Sequence, residues 1–223
     1  MQSLSPLNVF VTGTDTNVGK TLVAAWLVQL LQARYWKPVQ TGIKADGGGD
    51  DDARTVAQLL GWSLPTPRIV TSAYRLNDPV SPHEAARRAG VSIDLASMLA
   101  KRPLHAGSLV VEGAGGLMVP LNRDAFMIDF IAALEMPVVL VVRGSLGTLN
   151  HTLLSLEALR QRHIPILGLI VNGAYEPREN RQALKLYGQV PILAEIPWLE
   201  KTDMAKLAAI PPLIPPQRWQ PVS

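Results

Sequence analysis

The amino-acid sequence predicts an α/β fold, a mostly parallel sheet with helices on both faces. Runs rich in Val and Ile alternate along the chain with longer segments of helical period, and the first run leads through a Gly/Thr/Asp loop into an amphipathic helix. Strands buried on both faces read as continuous apolar runs, and parallel neighbours need crossovers long enough to hold a helix. The loop ends Gly-Lys-Thr. A strand, such a loop and a helix make a phosphate cradle of the P-loop NTPase type, because unpaired amides at the helix start and its positive dipole end both favour an anion. With 223 residues, 48% of them apolar, the chain can bury a sizeable core, and we expect one P-loop α/β domain over 1–223.

The elements follow in order. "LNVFVTG" reads as the first strand and "KTLVAAWLVQLLQARY" as the helix after the loop, with Val23, Leu27, Leu30, Leu31 and Arg34 marking one face. "KPVQTG" is a short extended piece, and "SLVVEG", "PVVLVVRG" and "IPILGLIVNG" are further strands. "SPHEAARRAG" carries its own signals for a helix: Ser81 as N-cap, Pro82 at the first helical position, Glu84 completing a capping box and Gly90 as the stop. The biased stretches are the acidic "ADGGGDDD" and the terminal "PPLIPPQRWQPVS", expected to be extended. Residues 1–7 and 210–223 are read as loosely packed tails.

Composition excludes several classes. Cysteine is absent, which rules out disulfides, thiolate metal sites and a thiol nucleophile, and fits a cytoplasmic protein. The first residues lack a basic region followed by an apolar core, and "PVVLVV" is far too short to cross a bilayer, so we expect no membrane partner. Net charge is +3 with Lys and Arg scattered, so nucleic acid is not an expected partner.

In the first loop Gly19 lets backbone approach a ligand, Lys20 reaches outer phosphates and the Thr21 hydroxyl can ligate magnesium. The usual loop has four residues between its glycines, which would start it at Thr14; here the first is Gly13, so the loop is a variant. An ordinary strand–turn–helix joint is the alternative, and the combination favours a nucleoside triphosphate. Magnesium needs hard oxygens. Glu112 ends a strand and is followed by Gly113, Ala114 and Gly115, placing a carboxylate beside flexible backbone at the edge where such sheets bind ligands. Of Asp50, Asp51 and Asp52, at least two read as a solvated loop and a helix N-cap, and one can reach the metal. Lys37, in the turn after the second strand, can bring a second ammonium to a transferring phosphoryl group; the alternative is a surface lysine.

The set "VTGTDTNVGKT", "KPVQTG", "SPH", "VEGAGG", "LGTLNH", "VN" and "EIPWL", in this order, resembles the dethiobiotin synthetases, ATP-dependent enzymes of biotin synthesis. The similarity runs from about Phe10 to Leu199. It implies a homodimer that takes 7,8-diaminononanoate, carbon dioxide and Mg-ATP. One amine is captured as a carbamate, the carbamate attacks the γ-phosphate, and the second amine closes a ureido ring. Carried over by position, the nucleotide loop falls on Asn17, Val18, Gly19, Lys20, Thr21 and Leu22, and the metal ligands on Thr21, Asp52 and Glu112. Lys37 matches the active-site lysine, which orients the carbamate and γ-phosphate rather than acting as a base, and Thr41 matches a hydroxyl residue that contacts substrate. Asn172 is expected at the adenine edge, with Pro197, Trp198 and Leu199 walling the base. Many members carry an acid after that asparagine where this chain has Gly173, so that nucleotide contact is either missing or made by backbone. The helix start around Gly147 and Asn150 is implied to reach across a two-fold axis to hold the substrate carboxylate. His83 and His151 read as helix-start or packing residues, since ring closure needs no histidine base.

Two other functions share these motifs. A partitioning-type nucleotide switch would carry an extra lysine at the position of Asp15. An amide-forming cobyrinate-type ligase is usually joined to a glutamine-hydrolysing domain with a nucleophilic cysteine, which leaves a stand-alone ATP-dependent ligase with another amine or carboxylate substrate as the main alternative.

Overall fold

A computed structural model describes residues 5–43, 51–104, 106–175, 178–199 and 204–222. Asp50 and most of the acidic stretch lie outside the described residues.

The Val-rich runs form the sheet. In chain order the elements are β1 (Asn8–Gly13), α1 (Lys20–Leu30), β2 (Arg34–Trp36), β3 (Val39–Gln40), α2 (Asp52–Leu59), β4 (Ile69–Val70), β5 (Tyr74–Arg75), α3 (Pro82–Arg88) and α4 (Leu95–Ala100). They continue with β6 (Leu109–Gly116), α5 (Met127–Leu134), β7 (Val138–Arg143), α6 (Thr148–Gln161), β8 (Ile166–Asn172), α7 (Asn180–Gly188), β9 (Ile192–Ile196) and α8 (Met204–Ala209). Seven strands make one sheet in the order β4-β2-β6-β1-β7-β8-β9, and every pair in it is parallel. β3 and β5 form a separate parallel pair.

Alternation along each strand divides the core in two. Phe10, Val111 and Leu140 pack on the face covered by α3 to α7, where Phe130 meets Phe10 and Trp36 edge-on, each at 6.3 Å between ring centres. Val9, Val11, Val110 and Val139 pack on the face covered by α1, α2 and α8. β1 is central, with Glu112 of β6 opposite Val11. The chain runs outward from β1 to β2 and β4, returns to β6, then continues on the other side through β7. Ligands bind at the carboxyl ends of strands where such an order reverses.

Three local expectations are corrected. The helix after the loop ends at Leu30, with Gln32 at φ 51°, so Arg34 belongs to β2 and shares no helix face with Val23 and Leu27. α3 starts at Pro82 and Gly90 sits at φ 69°, as expected, but no capping box forms. Glu84 instead accepts hydrogen bonds of 2.8 Å from Arg87 and Arg88, since charged donors hold a carboxylate more strongly than a neutral amide does. The Pro-rich tail is neither wholly extended nor loose: Pro216–Arg218 form a 3-10 turn. Trp219 is 8% exposed and donates to Ile214 O at 2.7 Å, and Val222 bridges antiparallel to Ile166. The indole supplies the apolar area that the prolines lack.

Candidate active site

Gly19 heads α1 at φ 97°, a left-handed backbone that suits glycine, and a Cβ there would fall 2.0 Å from Asn172 Nδ2. Lys20, the first helical residue, folds back so that Nζ donates to Asp15 O at 2.8 Å. The loop is tied from outside as well. Asn172 Nδ2 donates to Val18 O at 3.0 Å, and Arg143, from the end of β7, donates to Thr16 O at 2.9 Å.

Beneath the loop, four predicted residues converge. Thr21 Oγ1 lies 3.0 Å from Asp52 Oδ1 and 2.9 Å from Glu112 Oε1. Lys37 Nζ pairs with Glu112 Oε1 at 3.0 Å and with Asp52 Oδ2. Asp51, not Asp52, caps α2 by accepting from Ala53 N and Arg54 N, which frees the Asp52 carboxylate to turn into the site. Its amide donates to Gln40 Oε1 at 3.2 Å. Glu112 is 1% exposed and Lys37 6%. Charges so deeply buried persist only when paired. Burial alone would lower the Lys37 pKa, but Glu112 and Asp52 more than offset it and the net displacement is upward, so it stays an ammonium. Lys20 is pushed down to about 8, chiefly by burial and against the pull of Glu112.

These residues line a cleft of about 730 Å³. Thr41, Ala114 and Gly115 line it, as does an apolar wall of Pro79, Val80, Pro82 and Val119. Gly113 is buried behind the wall, where a Cβ would press on Phe10 at 2.9 Å. The cleft therefore brings together the phosphate side of the predicted site. Asn172, Gly173, Pro197, Trp198 and Leu199 lie outside it, at the neighbouring carboxyl ends of β8 and β9, with Trp198 85% exposed and Gly173 N donating to Ile196 O at 2.8 Å. Gly147 and Asn150 are exposed at the start of α6, with Gly147 at φ 90°. His83 shares a 3.1 Å hydrogen bond with Ser81, and His151 is exposed rather than packed.

The oxygens of Thr21, Asp52 and Glu112 are a hard donor set that fits a small divalent cation. Among the described residues no group of three or more His, Cys, Asp or Glu side chains is arranged to hold a metal, so two carboxylates and a hydroxyl would leave the remaining positions to water and phosphate, as magnesium favours.

A family model described as an AAA domain matches residues 7–206. The ATP-dependent dethiobiotin synthetase BioD of Paramagnetospirillum magneticum is 51% identical over 92% of this chain and 94% of its own length. That of Rhodopseudomonas palustris (strain BisB18) is 50% identical over 90% of this chain and 92% of its own. The chain belongs to the dethiobiotin synthetase family. Among solved structures, a ParA family ATPase from Chlorobium tepidum aligns with a TM-score of 0.55 at 16% identity, over 92% of this chain and 93% of that one. That likeness shows the shared P-loop fold alone.

Membership in the family accounts for the motifs, but three residues in or behind the cleft had no role assigned from sequence. Thr16, just before the predicted loop residues, lines the cleft. Gln40 accepts from Asp52 N at 3.2 Å, and Tyr35, which pairing of β2 with β6 brings to Glu112, donates to Glu112 Oε2 at 2.8 Å. A motif search reads neighbours in sequence, and Tyr35 is a neighbour in register.

Proposed function

We propose that the chain closes a ureido ring, converting 7,8-diaminononanoate and carbon dioxide to dethiobiotin with ATP, as one P-loop domain acting in a homodimer in the cytoplasm. The observation that carries this reading is the convergence of Thr21, Lys37, Asp52 and Glu112 under the Lys20 loop, in a chain about half identical to dethiobiotin synthetases over nearly its full length. The cytoplasmic assignment draws on the absence of cysteine and of any helix, among the described residues, long and apolar enough to cross a membrane.

One amine of the substrate adds to carbon dioxide, releasing a proton and forming a carbamate. The carbamate oxygen attacks the γ-phosphorus of ATP and ADP leaves. The second amine then attacks the carbamoyl carbon, phosphate leaves, and the ring closes. Asn17 to Leu22 supply amides and Lys20 to the phosphates. Lys37 holds the carbamate and γ-phosphoryl oxygens in line, where spread charge is stabilised by fixed cations. Thr41 contacts the diamine, while Pro79, Val80, Pro82 and Val119 exclude water from its alkyl chain. Magnesium, held by Thr21, Asp52 and Glu112, would neutralise charge between the outer phosphates. Ala114 and Gly115, backed by Gly113, border the nucleotide. Asn172, Gly173, Pro197, Trp198 and Leu199 form the base site beyond the loop. Gly147 and Asn150 of the partner subunit receive the substrate carboxylate at a helix start.

Purified protein incubated with diaminononanoate, bicarbonate, magnesium and ATP is expected to yield dethiobiotin by mass. A folded, ATP-binding protein that makes no product overturns the proposal in favour of another amine or carboxylate substrate.

A further inference from the structure

Tyr35 pairs with Val110 across β2 and β6, and both side chains pack on the α1 face of the sheet. Strand residues two apart share a face, so Glu112 follows Val110 on the side where the Tyr35 ring lies. The ring is fully buried, and its hydroxyl meets Glu112 Oε2 at 2.8 Å. The other donors to this carboxylate, Thr21 Oγ1 and Lys37 Nζ, both go to Oε1. Among the described residues Tyr35 is the sole donor to Oε2. The carboxylate is thus divided between an inner oxygen held by a phenol and an outer oxygen presented to the cleft.

We propose that Tyr35 is a positioning residue that makes Glu112 a one-oxygen ligand, and so sets the preference of the site for a small divalent cation over a large one. The proposal rests on the reading of Thr21, Asp52 and Glu112 as the metal-holding group. Magnesium demands a near-octahedral shell and keeps several waters, whereas calcium accepts more oxygens and readily takes both from one carboxylate. A carboxylate pinned by its far oxygen cannot turn to offer both. Groups that orient a metal ligand from behind change metal affinity by about 10–100-fold. A phenol sealed from solvent is a stronger pin than a water, because no competing partner reaches it.

The test is Tyr35→Phe, which removes the hydroxyl and keeps the ring. Affinity of the full chain for a non-hydrolysable ATP analogue is measured by calorimetry in EDTA, in magnesium and in calcium. Wild-type protein is expected to bind more tightly with magnesium than with calcium. In the variant the calcium-to-magnesium affinity ratio is expected to rise about tenfold, with binding in EDTA unchanged. A purely structural tyrosine would weaken both metal complexes in proportion, and an unaltered ratio overturns the proposal. Wild-type binding that ignores metal altogether overturns the metal reading of the site, and this proposal with it. Should Tyr35→Phe fail to fold by circular dichroism, the same ratio is read with 3-fluorotyrosine at position 35, a stronger donor of nearly the same shape. It should then move toward magnesium, and a ratio equal to wild type refutes the role.

Discussion

Glu112 receives donors from Thr21, Tyr35 and Lys37 in a nearly sealed pocket, so the consequence of removing its charge can be argued from geometry. Glu112→Gln keeps a hydrogen-bonding group of similar size but withdraws one of two carboxylate charges from the proposed cation site. The expected outcome is retained nucleotide binding with loss of magnesium-dependent turnover, read from activity across a magnesium titration; a wild-type response would remove Glu112 from the metal. Lys37→Ala acts on a different quantity. On the proposed reading its ammonium meets charge that grows as the phosphoryl group transfers, so kcat is expected to fall much further than the KM for ATP rises. Steady-state kinetics separate the two, and a change confined to KM would make Lys37 a simple nucleotide ligand. Both residues were legible in the sequence because each closes a local motif at the end of an extended run. Tyr35 was not, since its partner lies 77 positions away and only the register of β2 against β6 brings them together.

At the scale of elements, the strands and the helix after the loop follow from apolar period, and the Asp51 cap follows from residue type. Boundaries and pairings are less legible. The two-residue strands β3, β4 and β5 are too short to show a period, yet the β3 segment holds Gln40 against Asp52. The capping-box pattern around Ser81 was present, but Arg87 and Arg88 compete for the same carboxylate, and sequence spacing does not say which donor wins. The tail is the clearest case of tertiary contact overriding composition. Prolines disfavour helix and sheet interiors, so the segment reads as loose. Its Trp219 nonetheless joins the core on the α1 face. Trp219→Ala is expected to cost about 3 kcal/mol, measured by urea denaturation, with turnover at saturating substrate unchanged because the residue lies outside the cleft. A loss within ~0.5 kcal/mol, the range of ordinary surface changes, would mean the tail is not part of the cooperative core.

The whole molecule presents one further demand. An isolated P-loop domain spends its first helix start on phosphate, and a long substrate with a carboxylate at its far end needs a second anion site. On the proposed reading α6 supplies it: Gly147 caps its start at φ 90°, with Gly147 and Asn150 exposed in the first turn, while Leu146 is 88% and Leu154 63% exposed beside it. Apolar side chains left bare around a helix start suit a surface that is covered by another copy. In a symmetric dimer whose α6 starts cross the interface, each site would combine Lys20 and Lys37 of one subunit with Gly147 of the other. Lys20→Ala and Gly147→Trp should then each abolish activity, the first by removing a phosphate contact and the second by filling the carboxylate site. Mixed and allowed to exchange, the two variants should recover activity. A hybrid dimer pairs the intact Lys20 of one chain with the intact Gly147 of the other at one of its two sites. Random exchange makes about half the dimers hybrid, so the mixture should approach about one quarter of wild-type activity. Exchange is followed independently by mass spectrometry of differently tagged subunits. If tagged hybrids form and the mixture stays inactive, the carboxylate anchor lies within a single chain and α6 serves the fold alone.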